Sequence, residues 1–351
     1  MESFNHSHAT RAESSDFLAV EPFVADMASA RALSTALEMG VIDLLARSGQ
    51  ITLSQLCQEI SFEPNCVKLL LGLLLAGDVI RCSDGEYLLT ENFVKVYPYR
   101  DLLVAKLDFA HIAAHDFIDL FSYMISDVRT FRKRSGMFRL FNYSNSVQET
   151  AENFDQTMRW MRITTVLTRY EARACIMNHN LSVYRSLLDV GGNSGEFSLQ
   201  ACRHNPTLRA TVFDLPVVCE VGQQHVSHEP EAERITFVKG NALTEALPVG
   251  HDLITFKSVL HDWPDKEAMI FLSQAATALP QGGTILIYER GPFEIGPGGL
   301  PYSQIPLMLF SHTFRSPEWY CTYLESRGFG SFSVTWITLD MPFFIVTAVK
   351  E

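Results

Sequence analysis

Leu187-Leu-Asp-Val-Gly-Gly-Asn-Ser-Gly195 decides how this chain is read. An apolar run closes on an acid and a glycine loop. A helical stretch follows, and Asp214 then ends the next apolar run, Ala210-Thr-Val-Phe-Asp214. Strand, glycine loop, helix and strand-end acid make a nucleotide-binding βαβ unit. Gly191, Gly192 and Gly195 let backbone approach a ligand with no Cβ in the way, and Asp189 can accept hydrogen bonds through the loop. Asp214 suits a grip on two neighbouring ribose hydroxyls, because one carboxylate accepts from both. Its plainer reading is a helix N-cap before Pro216.

The pattern continues outward from this unit. Strands are expected at 186–191, 209–214, 235–239, 252–257 and 283–289, alternating with helices as in a mostly parallel sheet covered on both faces. A hairpin-like pair at 332–339 and 343–349 turns through Asp340-Met-Pro342. That closing antiparallel pair departs from a dinucleotide-binding dehydrogenase, which continues the βα alternation. Gly240-Asn241-Ala242 follows the third strand, where an asparagine could bond an adenine edge or simply make a turn. Lys257-Ser-Val-Leu-His261-Asp-Trp-Pro-Asp265 puts a histidine just past the fourth strand. That is the edge where open α/β sheets hold ligands. Imidazole, with an ordinary pKa of about 6.5, is well suited to take a hydroxyl proton near neutrality. Glu289 ends the fifth strand, where it could fix the His261 tautomer and stabilise the imidazolium; otherwise it is a solvated strand-end acid.

Four regions are expected: a mobile tail at 1–16, a helical winged-helix region at 17–95, a helical linker or substrate roof at 96–180, and the ligand-binding domain at 181–351. Thr52-Leu-Ser-Gln55 is a capping-box start for a helix to Ile60. Pro64 opens a leucine-rich helix ending at Gly77, and Ser83-Asp84-Gly85 signals a hairpin. The supposed reading helix carries Lys68 as its only base, and acids outnumber bases across the region. A dimerisation surface therefore fits better than DNA binding. In the helical region, Phe154, Met158 and Met161 recur at helical spacing, as core residues or as the lining of an apolar pocket.

A net charge of −12 argues against a nucleic acid as the main partner. The seven cysteines, Cys57, Cys66, Cys82, Cys175, Cys202, Cys219 and Cys321, form no CxxC pair. That reads as free thiols in a reducing cytoplasm. The sequence offers neither a signal-peptide pattern nor an apolar run long enough to span a bilayer, and no cluster has metal-ligand spacing.

Five segments carry a resemblance that covers nearly the whole chain. They are Asp-Val-Gly-Gly-x-x-Gly (189–195), Phe-Asp-Leu-Pro (213–216), Lys-x-x-x-His-Asp-Trp (257–263), Gly-Gly-x-x-Leu-Ile-x-Glu (282–289) and Arg-Ser-x-Glu-Trp (315–319). Together they resemble the class I S-adenosylmethionine-dependent small-molecule O-methyltransferases, such as plant caffeic acid and bacterial polyketide and phenazine enzymes. The resemblance implies a Rossmann-like seven-stranded sheet with a C-terminal antiparallel pair, a winged-helix dimerisation domain and a homodimer. It implies S-adenosyl-L-methionine held by the 189–195 loop (Asp189, Gly191, Gly192, Asn193, Gly195), by Asp214 with Leu215, by Asn241 with Ala242, and by Lys257 with Ser258. It implies His261 as the base, with Glu289 behind it.

Three positions depart from the family pattern. Asn241 replaces an adenine-side acid, Asn193 stands where a third glycine is frequent, and Phe314 replaces a second glutamate beside the histidine. The apolar Phe314 is expected to lower the His261 pKa. The expected reaction is in-line methyl transfer to a phenolic or enolic hydroxyl of a small acceptor. Trp263, Phe310 and Phe314 are candidates to hold a flat acceptor and the sulfonium, and Phe154, Met158, Met308 and His312 are further pocket candidates. Alternatives on the same cofactor are C- or N-methylation, and a cyclase or lyase attack on the aminobutyryl chain that gives methylthioadenosine. A DNA-binding metabolite sensor and a nicotinamide oxidoreductase are opposed by the missing basic helix and by the closing strand pair.

Overall fold

The computed structural model describes residues 15–292, 295 and 299–351, so the tail expected at 1–16 lies outside the described residues but for its last two positions. The chain forms two compact units, one of residues 16–139 with 295–307, the other of 140–294 with 308–351. No described helix is long and apolar enough to cross a membrane.

In the first unit a 3-10 turn at Asp16–Val24 leads to α1 (Met27–Glu38), α2 (Val41–Ser48), β1 (Ile51–Thr52), α3 (Leu53–Ile60) and α4 (Pro64–Ala76). Then come β2 (Ile80–Ser83), β3 (Glu86–Leu89), α5 (Glu91–Val96), α6 (Arg100–Ser126), α7 (Val128–Arg134) and α8 (Gly136–Leu140). The capping box forms as expected. Thr52 N donates to Gln55 Oε1 at 2.9 Å, and Gln55 N donates back to Thr52 Oγ1 at 3.3 Å. Asp84 and Gly85 both take positive φ, 52° and 80°. A two-residue hairpin of type I′ requires this of both central residues. The hairpin gains a third strand, in the order β1-β3-β2, which two residues of sequence do not announce. On α4 only one face is covered: Val67, Leu71 and Leu74 are buried, whereas Leu69, Leu73 and Leu75 are exposed.

The second unit holds α9 (Ala151–Asn178), β4 (Ser186–Val190), α10 (Glu196–His204), β5 (Arg209–Asp214), α11 (Pro216–Val226), β6 (Ile235–Lys239) and β7 (Leu253–Lys257). It continues with α12 (Asp265–Ala278) and β8 (Thr284–Arg290); the short α13 (Ile305–Met308) is divided between the units, and α14 (Pro317–Glu325), β9 (Phe329–Thr338) and β10 (Pro342–Lys350) complete the second. The seven strands lie in the order β6-β5-β4-β7-β8-β10-β9; the first five are mutually parallel and β10 is antiparallel to both β8 and β9. Only β9 departs notably from its expected bounds, beginning at Phe329 rather than 332. A register shift between Thr347 and Val349 lets Phe329 and Gly330 pair with Lys350 and Val349. Such a bulge hides the side-chain alternation that marks a strand.

Leu188, Val190, Ile254, Phe256, Ile285 and Ile287 are fully buried in the central strands, packed with Tyr320, Leu324 and Phe344 into one core. Such strands, covered on both faces, read as continuous apolar runs. From β4 the chain runs outward through β5 and β6 and returns to β7 on the other side of β4. The order reverses there, and loops leaving β4 and β7 diverge into a crevice at the carboxyl edge. Beneath the glycine loop, Asp189 is buried and accepts from Ser198 Oγ at 2.9 Å and Thr255 Oγ1 at 3.0 Å. A Cβ on Gly192 would lie 2.8 Å from Asp189 Cγ and 2.9 Å from Val212 Cγ1. Gly192→Ala should therefore cost about 1–3 kcal/mol by overpacking; the measurement is urea unfolding beside the parent protein, where an unchanged midpoint would contradict the close packing.

Candidate active site

The turn after β7 is built around one buried acid. Ser258 takes a left-handed φ of 54°, which swings the following amides toward β8. Val259 N and Leu260 N donate to Glu289 Oε1 at 2.9 and 2.7 Å, and His261 Nδ1 lies 2.5 Å from Glu289 Oε2. Glu289 is 0% exposed and His261 8%. With Nδ1–H donating to the carboxylate, a neutral ring keeps Nε2 as its acceptor nitrogen, the tautomer a general base needs.

A second carboxylate stands on the other side of the ring. Asp262 Oδ1 is 3.4 Å from His261 Nε2, and its Oδ2 accepts from the Tyr143 hydroxyl at 2.7 Å. The Phe314 ring meets the imidazole edge-on, with centroids 5.3 Å apart at 85°. Burial alone would lower the imidazole pKa. The charges of Glu289 and Asp262 outweigh it and raise the pKa above 6.5. This overturns the expectation drawn from Phe314: a glutamate is missing there, but Asp262 supplies a second negative charge beside the ring. Burial pushes the Asp262 carboxyl up; Glu289, although equally buried, is held below its usual range by the facing imidazole and two amides.

The glycine loop and β5 form the other half of the crevice edge. Asp214 accepts from Asn193 N at 2.8 Å through Oδ2 and from Leu215 N at 2.7 Å through Oδ1. Asn193 has a φ of 57°. It thus occupies the left-handed position that the expected glycine would fill, a conformation asparagine tolerates. Its Nδ2 donates to Thr164 Oγ1 of α9 at 3.0 Å. Burial pushes the Asp214 carboxyl up to about 6, against the two amides that lower it. Lys257 Nζ pairs with Glu171 of α9 and donates to Thr168 Oγ1 at 3.0 Å, so its charge is committed to a helix rather than left open. Glu171 also takes Arg290 Nη2 at 2.6 Å, and Arg290 Nη1 donates to Ser258 Oγ at 3.0 Å. Asn241 Oδ1 accepts from Leu243 N at 3.0 Å, the behaviour of a turn residue, and Ala242 is buried.

Aromatic rings converge on the same turn. Tyr143 lies 6.1 Å from Trp263 and 5.5 Å from Trp160, and Phe141 lies 5.8 Å from Phe310. Trp263 and Phe310 thus join one cluster with Phe141, Tyr143 and Trp160, while Phe314 meets the His261 ring. Met161 is core, Phe154 and Met308 are half-buried, and Met158 and His312 are exposed. The sequence reading missed Tyr143, Trp160, Glu171 and Arg290. Tyr143 lies in an irregular stretch with no spacing to flag it, whereas Asp262 could have been found from its place beside His261.

Two family models match the chain, an O-methyltransferase dimerisation domain over residues 24–95 and an O-methyltransferase domain over residues 117–328. The chain belongs to the O-methyltransferase family. It is 28% identical over 312 residues to acetylserotonin O-methyltransferase of Bos taurus, covering 85% of this chain and 88% of that one. Over 118 residues, 34% of each chain, it is 36% identical to 3-hydroxy-5-methyl-1-naphthoate 3-O-methyltransferase of Streptomyces sahachiroi. Its fold matches an O-methyltransferase from neocarzinostatin biosynthesis, solved with S-adenosylmethionine and 2-hydroxy-5-methyl naphthoic acid, at a TM-score of 0.68 and 20% identity over 93% of this chain and 97% of that one. The family is S-adenosylmethionine-dependent. Among the described residues no group of three or more His, Cys, Asp or Glu is placed to hold a metal ion.

The residues of this chain fit that cofactor. The loop is closed to side chains, since a Cβ on Gly191 would lie 2.9 Å from Val259 Cγ2. Each Asp214 oxygen accepts one amide, which leaves lone pairs for ribose hydroxyls. Hydroxyl donors lower the pKa of a carboxylate, so a ribose held there would favour ionised Asp214. Affinity should hold above that carboxyl's pKa and fall as pH drops through about 6, by up to about tenfold per pH unit. Calorimetry with S-adenosylhomocysteine at a series of pH values checks this, and Asp214→Asn should flatten the dependence.

Proposed function

We propose that this O-methyltransferase transfers the methyl group of S-adenosylmethionine to a phenolic or enolic hydroxyl of a small aromatic metabolite, with His261 as the general base. The observation that carries the reading is the His261–Glu289 contact at 2.5 Å, just past the carboxyl end of β7, the strand next to the one that leads into the glycine loop. Asp189, Gly191, Gly192, Asn193 and Gly195 would shape the cofactor cradle, Asp214 with Leu215 would take the ribose, and Asn241 with Ala242 would flank the adenine. Lys257 and Ser258 would act from behind, tying the β7 end to α9 and Arg290.

When bound, S-adenosylmethionine supplies a sulfonium methyl group as the electrophile. The chain then has two tasks: to align the acceptor oxygen and to remove its proton. Nε2 of neutral His261 accepts that proton, and the ring becomes an imidazolium between the carboxylates of Glu289 and Asp262. Both charges favour the protonated ring, so proton removal is driven by the same pair that raises its pKa. Trp263, Phe310 and Phe314, with Tyr143 and Phe141, offer faces for a flat acceptor. Support for an aromatic acceptor comes from these rings and from the naphthoate and acetylserotonin named for the relatives. Residues 24–95 and the exposed leucines of α4 support a homodimer. The free thiols suit the reducing cytoplasm.

His261→Gln should lower turnover by about 10²–10⁴-fold while leaving S-adenosylhomocysteine affinity nearly unchanged. Asp214→Ala should do the reverse, weakening that affinity by about ten- to a hundredfold through loss of charged hydrogen bonds. Turnover should rise with pH through a value above 6.5, and Asp262→Asn should move that limb downward. The assay is mass spectrometry of products formed from S-adenosylmethionine and a panel of phenols and naphthols. S-adenosylhomocysteine together with a methylated phenol supports the reading, and methylthioadenosine without one overturns it.

A further inference from the structure

The turn that carries His261 is gripped from both sides. Its amides are held by Glu289. Its other side meets three consecutive residues ahead of α14, two of which hold its carbonyls. Thr313 Oγ1 donates to the carbonyl of His261 itself. Phe314 packs edge-on against the ring. Arg315 donates from Nη1 to Leu260 O at 2.8 Å and from Nη2 to Trp263 O at 2.6 Å. Its Nε pairs with Asp265 Oδ1 at 2.8 Å, and its guanidinium lies 4.7 Å from the Trp319 ring. Arg315 is 6% exposed.

A buried guanidinium that served only to tie two elements together would need one or two acceptors anywhere on its neighbour. This one takes the carbonyl just before His261 and the carbonyl two residues after it. The planar fork spans both at once, which an ammonium cannot do. The turn is therefore fixed at 260, 261 and 263 while Glu289 fixes 259, 260 and the ring. Remove the grip on the carbonyls and the 260–263 turn can rotate, carrying Nδ1 away from Glu289.

We propose that Arg315, with Thr313, is a positioning residue for the base: it clamps the carbonyls around His261 so that the imidazole stays seated on Glu289. The role rests on His261 as the base, but its test does not need methyl transfer. The charged groups acting on the ring are Glu289 and Arg290 of β8 and Asp262 of the turn, with Tyr143 bonded to Asp262; Arg315, paired with Asp265, holds the carbonyls of the turn. Loss of the Glu289 contact lowers the imidazole pKa, whereas loss of a nearby positive charge alone raises it. The two explanations for Arg315 therefore differ in sign.

The experiment is an NMR titration of protein labelled with 13Cε1-histidine, the His261 signal being assigned with His261→Gln. In Arg315→Met the His261 pKa should fall by about one unit, a tenfold change in protonation, with S-adenosylhomocysteine affinity kept within about threefold, a difference of under about 1 kcal/mol. Thr313→Val, close in shape, should shift it the same way by less, and Arg315→Lys should lie between Arg315→Met and the parent. An unchanged or raised pKa in folded Arg315→Met overturns the proposal. Should that variant not fold, Thr313→Val decides: a fall supports the clamp, and no fall overturns it. Inactivity toward every acceptor with the pKa shift intact would overturn the O-methyl reading while leaving the clamp standing.

Discussion

A buried carboxylate must be fully satisfied or it does not stay charged, and Glu289 meets that demand by organising its surroundings. At the end of β8 it has no solvent to lean on, so it draws two amides and an imidazole from the neighbouring β7 turn. Those three donors define the turn. They hold the histidine in one tautomer and one orientation, with its second nitrogen 3.4 Å from Asp262 Oδ1. Replacing such an acid leaves an unsatisfied ring and two orphaned amides, a far larger loss than one hydrogen bond.

The same economy governs the groups around it. Lys257 and Arg290 end adjacent strands, and each pairs with Glu171 at a site where an uncompensated cation would be costly. Glu171 lies in the last third of α9, so the pairing fixes that helix against the β7 and β8 ends. Asn193 extends the tie from the glycine loop to Thr164 on the same helix. The glycine loop and the His261 turn are thereby referenced to one helix, the kind of support a precisely aligned site requires. The departures from the family pattern become intelligible at this level. Asn193 supplies a left-handed residue with a side-chain anchor in place of glycine, and Asp262 supplies a second negative charge where Phe314 does not.

Much of this was legible in the primary structure, for reasons that differ by element. The central strands are covered on both faces, so they appear as unbroken apolar runs with an acid or lysine at their ends. The glycine loop is legible because only glycine and a few tolerant residues fit its backbone. The capping box and the Asp84-Gly85 hairpin are local hydrogen-bonding devices, written within four residues. The start of β9 was misplaced because a bulge interrupts the alternation that marks a strand, and β1 went unread because two residues carry no period.

His261, Glu289, Asp214 and the glycines could be named from sequence because each sits at a strand end, and strand order follows from connection rules. The partners that set their chemistry could not. Tyr143 reaches Asp262 across 119 positions, Glu171 reaches Arg290 across 119, and Arg315 reaches Leu260 across 55. Apolar periodicity and turn chemistry are local, so the chain itself determined the sheet, the loop and which histidine stands at the crevice. Which charges face that histidine is a long-range property of packing, and only the tertiary structure decided that the imidazole lies between two carboxylates and is pushed up in pKa rather than down.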